Sequence, residues 1–526
     1  MPTGAVTAGS ARSQRIALTT VCAVLFLTFL DTTIVSVALG DVQADLQAGV
    51  ISLQWVVNAY TLVFASLMLT AGTLGDRLGR KRIMIAGMVV FCAGSLLSAL
   101  ASTVTLLIIG RAVMGVGAAA SEPGTLSVIR HIYPQERQRA KAIGVWAAVS
   151  GVALALGPIA GGLLVGAFSW RAIFWFNVIL GVVLVIAAIT SVPESSDPQQ
   201  GRLDLPGFVL GSTFLGCVIY AGIEGEEVGY TATNVLTLFA IGGVALIAFV
   251  LVELRAANPM FNFHYLRIPI VGSALTVAFA IYFGIFSIFF FTALYLQEVV
   301  GYSPWRTAAV FAPMAVSIVV GSLIAGVWVS RTAASRPMIA GCLLAGGGIL
   351  LTRPLLHQSA DFTELAAALM LAGLGFGIAV VPLTSAVLSG VPGEHSGMAA
   401  AATNTMRQVG AVIGVAALGG LVNANLTDGL KDRLRDLGIP PNFDSIIIGA
   451  VETGTVPQGA GGTAGYEQTY GSIVTKVIQA TYDAFLAGLQ TALLVAGLLV
   501  FVAAFVVVIG EFRQYRRRGS RSDALG

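Results

Sequence analysis

The sequence predicts an all-α polytopic membrane protein, arranged as two six-helix bundles with two further helices inserted between them. Three observations carry this prediction: an apolar composition, the number of long apolar runs, and an internal repeat. Of the 526 residues 56% are hydrophobic and only 10% charged, so most of the chain is too apolar to face water. Mean hydropathy is +0.87. Runs of about twenty apolar residues, the length that crosses a hydrocarbon core, recur fourteen times. At an offset of 254, residues 69–87 (LTAGTLGDRLGRKRIMIAG) match 323–341 (LIAGVWVSRTAASRPMIAG) at nine of nineteen positions.

The first six spans are expected near 16–39, 52–73, 82–101, 105–127, 143–166 and 171–192. The first follows Arg12 and Arg15 like a signal peptide, but it is too long and contains Asp31, so it reads as a retained helix. A polar linker, 193–206, leads to two spans near 207–223 and 232–254. Six more follow near 270–296, 305–329, 336–353, 362–388, 396–423 and 484–510. The repeat offset carries the start of the first span onto the start of the ninth, and Gly115 and Gly117 are echoed by Gly373 and Gly375. The chain therefore divides into an N-terminal bundle (1–192), a linker with two inserted spans (193–269), a C-terminal bundle (270–510) and a basic tail (511–526).

An even number of spans puts both termini on one side. With the N-terminus in the cytoplasm, about 20 of the 29 Lys and Arg fall in cytoplasmic segments and about 7 outside, while Arg111 and Arg407 lie within spans. The turn Gly72–Arg82, with five charges, is then cytoplasmic. The long segment 424–480 is external; Leu426, Leu430, Leu434 and Leu437 have the spacing of an amphipathic surface helix, as a surface cap or a substrate lid. A net charge of +3 confined to short loops excludes nucleic acid as a partner. The four cysteines lack metal-ligand spacing and read as helix-packing residues, and the four histidines sit at loops and span ends in different places, so no catalytic cluster is visible.

Several stretches resemble a known family. Gly72-Thr-Leu-Gly75-Asp76-Arg77-Leu-Gly79-Arg80-Lys81-Arg82 resembles the signature between helices two and three of the major facilitator superfamily. Leu30–Leu39 is similar to the first-helix motif of its drug:proton antiporter family with fourteen helices. Gly151 through Gly157-Pro158-Ile-Ala-Gly161-Gly162 resembles the fifth-helix antiporter motif, and Asn404-Thr-Met-Arg407-Gln408-Val-Gly410 the thirteenth helix. Ser36 and Gly40 stand where that first-helix motif has Asn and Pro, Met114 stands where the fourth-helix motif has Gln, and Glu122 belongs to no shared motif.

The resemblance implies the major facilitator fold and a proton-coupled exporter of hydrophobic, often cationic compounds at the cytoplasmic (inner) membrane. An exporter of one endogenous lipid, siderophore or antibiotic is the alternative on the same scaffold. Small substrates, protons and membrane lipids would be its partners, the chain acting as a monomer, without a cofactor. The proton gradient supplies the energy, and no GxxxxGK[ST] nucleotide loop occurs. Gly72, Gly75, Asp76, Arg77, Gly79 and Arg80 would form a conformational latch at the cytoplasmic face, and Gly151, Gly157, Pro158, Gly161 and Gly162 the helix face that governs exchange.

The residues supply their own argument for the site. Asp31 and Arg111 fall at similar depth in the first and fourth spans, and a charge there costs on the order of 3 kcal/mol, so they are expected to pair across helices. That pair either couples protons or is a static ion pair. Glu122, before Pro123 in the fourth span, has no obvious cationic partner and is either a proton carrier or a contact for a cationic drug, or else a capping or snorkelling group near the cytoplasmic face. Arg407 needs an acceptor, with Asn404, helix carbonyls and a substrate anion as candidates. In the aromatic ninth span Tyr282, Phe286 and Phe290 are expected to line a central cavity with Asn404 and Arg407.

Overall fold

The computed structural model describes residues 11–195, 204–256, 263–329, 331–357, 362–391, 396–436 and 472–522. Fourteen helical spans among them are long and apolar enough to cross a membrane, and each lies where an apolar run predicts it. The first is compound: α1 (Ala11–Ile34), a 3-10 turn (Val35–Ala38) and α2 (Leu39–Leu46). The other spans of the first half are α3 (Val50–Leu78), α4 (Arg80–Ala99), α5 (Val104–Ile132), α6 (Glu136–Ala167) and α7 (Arg171–Ser191). The inserted pair is α8 (Leu205–Val228) and α9 (Thr233–Arg255). After a 3-10 segment, Phe263–Arg267, come α10 (Pro269–Glu298), α11 (Pro304–Val329), α12 (Ser335–Leu355), α13 (Phe362–Gly390), α14 (Ser396–Asp436) and α15 (Ser472–Ser522).

The repeat is visible in the packing. In α5, a Cβ on Gly115 would meet the Tyr60 carbonyl of α3 at 2.6 Å, and one on Gly117 the Gly87 carbonyl of α4 at 2.6 Å. In α13, a Cβ on Gly373 would meet the Met314 carbonyl of α11 at 2.5 Å, and one on Gly375 the Gly341 carbonyl of α12 at 2.6 Å. Gly87 and Gly341 are the last pair of the sequence repeat. Each half therefore wedges one helix between two neighbours through glycine contacts, which lets backbones approach where lipid provides no hydrophobic drive.

α6 packs on α1, and α11 of the second half packs on α6. α3 packs on α14, and the inserted α8 touches both α3 and α14. The pair α8–α9 is peripheral: only 22% and 17% of their apolar windows are buried inside the molecule, against 89% for the first span and for α10. Helices so exposed and so apolar face lipid.

Two expected loops are shorter than their charge suggests. The polar stretch Gly72–Arg82 is helical except for Gly79, whose φ of +113° separates α3 from α4. The long segment 424–480 is helical at both ends, since α14 runs on to Asp436 and α15 starts at Ser472. The expected separate amphipathic surface helix is a continuation of α14 instead. Leu426, Leu430 and Leu434 are buried, and the Arg433 guanidinium donates to the Ala480 carbonyl of α15 at 3.1 Å. Leucines at i, i+4 and i+8 serve a helical partner as well as a membrane surface, and here the partner is α15. Leu437 and the Gly-Thr stretch 454–465 lie outside the described residues.

Candidate functional site

α1 carries Asp31 one turn before the 3-10 break. Its carboxylate pairs with the Arg111 guanidinium of α5, both side chains being wholly buried. Sequence depth brings these two together; four further residues complete the site. Asn177 of α7 donates to the second Asp31 oxygen at 2.6 Å. The Arg111 Nε donates to the Val56 carbonyl of α3 at 2.9 Å, and the guanidinium lies 4.5 Å above the Tyr60 ring, whose hydroxyl donates to the Thr28 carbonyl at 2.8 Å. Met114 places its thioether 3.9 Å from Arg111 Nη1. A buried carboxylate with two charge-assisted partners is fixed in place, and four helices of the first half converge on it.

The second polar site joins the halves. Glu122 is wholly buried on α5, and its Oε1 accepts from Asn404 Nδ2 of α14 at 2.9 Å. Asn404 Oδ1 in turn accepts from Arg407 Nη1 at 3.2 Å, and Arg407 also donates to the Thr384 hydroxyl of α13. Among the described residues no cation pairs directly with Glu122, and the neutral Asn404 links it to Arg407 of the other half. Full burial also excludes a snorkelling role. Among the described residues Glu122 Oε2 and Arg407 Nε have no hydrogen-bond partner, so the site keeps an acceptor and a donor for a visiting group.

Tyr282 of α10 joins this site, its ring 5.5 Å from the Arg407 guanidinium, and Phe286 stacks on it at 5.9 Å. The Tyr282 hydroxyl has no hydrogen-bond partner among the described residues. Phe290 packs edge to face on Phe291 at 4.8 Å, and Tyr282, Phe286 and Phe290 are all buried in the same apolar core.

α6 explains its glycines and proline physically. Pro158 cannot donate to the Leu154 carbonyl one turn back, and the Thr33 hydroxyl of α1 donates to that carbonyl instead, at 3.0 Å. A Cβ on Gly157 would press on the Thr33 side chain and lie 2.9 Å from the Ile34 nitrogen; one on Gly161 would lie 2.5 Å from the Ile34 carbonyl. Both glycines therefore seat α6 against α1 within one turn of Asp31. Gly151 has a looser role, since its Cβ would meet only the Ser322 hydroxyl of α11 at 3.6 Å. Pro158 and Gly162 are buried in the same helix.

At the far ends of the spans, away from the N-terminus, one side chain closes the seam. Gln297 of α10 donates to the Val37 carbonyl at 2.7 Å and accepts from the Gly40 N–H at 2.9 Å. It thereby inserts its amide into the 3-10 break of the first span. A proline at position 40, as in the first-helix motif that Leu30–Leu39 resembles, would have no N–H to give.

The near-side turn is held by a residue that sequence reading missed. Glu194, beyond α7, accepts from the Lys81 N–H at 3.1 Å and lies 3.6 Å from the Arg82 guanidinium, while the Arg80 N–H donates to the Ser195 carbonyl at 2.9 Å. A carboxylate at the start of α4 meets free N–H groups and the positive helix end. Gly72 lies on α3 where its Cβ would approach Pro123 of α5 at 3.3 Å, and a Cβ on Gly75 would make only ordinary contacts with Arg80 and Ile83 at 3.9 Å. The side chains of Asp76 and Arg77, the core of the expected latch, lie outside the described residues.

Residues 21–415 match the Major Facilitator Superfamily. The chain belongs to this superfamily. It is 32% identical over 423 residues to the multidrug resistance protein Stp of Mycobacterium tuberculosis, covering 80% of this chain and 78% of that one. It is 36% identical over 429 residues to the puromycin resistance protein pur8 of Streptomyces alboniger, covering 81% and 84%. The multidrug efflux pump LfrA of Mycolicibacterium smegmatis is 30% identical over 493 residues, covering 94% and 95%. In fold, this facilitator is similar to a bacterial homolog of the human lysosomal transporter Spinster, with a TM-score of 0.61 at 16% identity over 95% of this chain and 99% of that one. The fourteen spans and the resistance-named relatives agree with the fourteen-helix drug antiporter resemblance.

Proposed function

We propose that the protein is a secondary transporter that exports hydrophobic, often cationic compounds across the cytoplasmic membrane in exchange for protons, by alternating access between residues 1–192 and 270–510. The Glu122–Asn404 hydrogen bond carries this reading. It puts an ionisable group on the seam between the halves, where binding of a proton or a cation bears directly on their association. The relatives named for multidrug efflux and resistance support the same reading.

The two polar sites take separate roles. Asp31, held by Arg111 and Asn177, is the first coupling carboxylate; Glu122 is the second and also the contact for a substrate cation. Protonating either removes a charge whose partners are fixed, and so changes which arrangement of the halves is favoured. The driving energy is the proton gradient, where a unit charge crossing 100 mV releases about 2.3 kcal/mol. No covalent chemistry is assigned to the chain. Its termini face the cytoplasm by the Lys and Arg count, the Gln297 clasp lies outside, and the chain acts as a monomer among membrane lipids.

Export of a single compound is the second reading, favoured by the relative named for puromycin resistance. Substrate-dependent proton flux in proteoliposomes, screened over dyes, quaternary amines, lipids and antibiotics, separates the two. Proton release with several unrelated cations is expected; a response to one compound would establish the narrower role, and transport indifferent to the proton gradient would overturn coupling.

A further inference from the structure

The inserted pair α8–α9 plays no part in either polar site, yet it helps enclose a cavity that those sites leave unused. Between α8, α9, α3, α10 and α14 lies a cavity of about 440 Å³. Volumes of about 300–1,000 Å³ hold drug-sized ligands. It sits toward the near-side ends of α8, α9 and α10, behind helices that face lipid. Because α8 touches both α3 and α14, an occupant would contact both halves at their seam.

Its lining specifies the occupant. Five phenylalanines, Phe208, Phe214, Phe249, Phe263 and Phe279, surround the space. Phe249 and Phe263 are already edge to face at 6.2 Å. The Thr405 hydroxyl on the α14 wall is buried without a hydrogen-bond partner among the described residues, at 9% exposure. Gly207 forms the near-side end, and a Cβ there would lie against the Asp204 carboxylate and 3.0 Å from Glu253 Oε1. Asp204 caps α8 with one oxygen, accepting from the Gly207 N–H at 2.8 Å, and its other oxygen has no partner among the described residues. Arg255 and Arg267 are nearby in sequence, but both are exposed at helix ends. Aromatic faces and one unmatched hydroxyl line the space, and the Asp204 carboxylate lies behind Gly207 at its near-side end, outside the lining; together they complement an apolar body carrying a positive charge.

We propose that this cavity is an intake site, where an amphipathic organic cation is taken from the inner leaflet before it reaches Glu122 and Asn404. The proposal rests on the exporter reading and adds a route to it. α14 is the shared wall: Ala402, Thr405, Met406 and Val409 line the cavity, while Asn404 and Arg407 belong to the polar site. The inserted pair thereby gains a task, forming the lipid-facing side of a site that twelve helices alone would leave open.

The full-length protein in phosphatidylcholine proteoliposomes, with radiolabelled tetraphenylphosphonium as the probe, provides the test. Gly211→Phe fills the cavity from a position whose Cβ meets only the Phe249 ring, at 3.4 Å. Asp204→Asn removes charge while keeping a good helix cap, so folding is preserved. Expected results are a KM raised about tenfold by the first and several-fold by the second, with turnover within twofold of wild type. Unchanged KM in both variants overturns the intake site. So does a co-purifying phospholipid, seen by mass spectrometry, that Gly211→Phe displaces without altering KM, since the cavity would then hold structural lipid. Failure of the wild type to move the cation would instead overturn the exporter reading, which separates the two failures.

Discussion

Asn404 donates its side-chain amide to Glu122 at 2.9 Å, across 282 residues of sequence and from one half of the transporter to the other. Gln at position 122 can accept the same hydrogen bond but carries no charge. Glu122→Gln is therefore expected to fold normally and to lose at least tenfold in export of cationic compounds, with neutral hydrophobic compounds affected less than threefold. Whole-cell efflux of a matched cationic and neutral pair measures this; equal losses would show that Glu122 serves the seam alone.

Asp31 and Arg111 must be tested without orphaning a buried charge, because removing one partner of such a pair costs about 3–5 kcal/mol. Asn keeps an acceptor oxygen for Arg111. Asp31→Asn is expected to abolish proton-driven accumulation in inverted vesicles while leaving substrate counterflow measurable. Full proton-driven efflux by this variant would sink the coupling assignment.

Asn177 holds the other Asp31 oxygen, so Asn177→Leu is expected to lower proton-driven transport about tenfold with counterflow retained. A static ion pair predicts that both assays change together, through lost protein, and the yield of folded protein after purification distinguishes the cases.

The glycines of α6 differ in what they tolerate. Gly157→Ala places a methyl group on Thr33 and Ile34, an overpacking worth about 1–3 kcal/mol, and is expected to lower both thermal stability and transport. Gly151→Ala meets only Ser322, at an ordinary 3.6 Å, and is expected to retain most activity. Melting temperature and export rate, measured side by side, decide whether the shared motif acts as one unit or through the few positions that touch α1.

The turn around Gly79 offers a test of the latch. Asp76→Asn is expected to reduce transport severalfold with topology unchanged, since acidic residues contribute little to orientation. Cysteine accessibility at the termini reports topology. Intact transport would mean that the charged turn only fixes orientation.

How much of this was legible in the sequence depended on whether a residue's cost could be read locally. Asp31 and Arg111 were legible because a charge in hydrocarbon demands a partner at its own depth. Asn177 and Tyr60 were not, since a neutral polar side chain in an apolar span carries no such demand. Glu122 and Asn404 were each visible, but nothing local joins two helices from different halves. Leu426, Leu430 and Leu434 misled because an apolar stripe does not say whether lipid or a helix covers it. The span count and the duplicated glycines were secure, for span length and close backbone approach are fixed by geometry alone.

Gln297 and the break in the first span have one further consequence. Val37 and Gly40 complete their main-chain hydrogen bonding through a side chain that belongs to the opposite half. Parting the halves at that end is consequently a small unfolding reaction of the first helix, with a donor and an acceptor stripped of their partner, each worth about 1–3 kcal/mol when buried. Its rate should follow temperature as local melting does, whereas gates made of surface charges follow salt. Because Gly40, unlike a proline, has an N–H to give, the backbone itself becomes part of that seam.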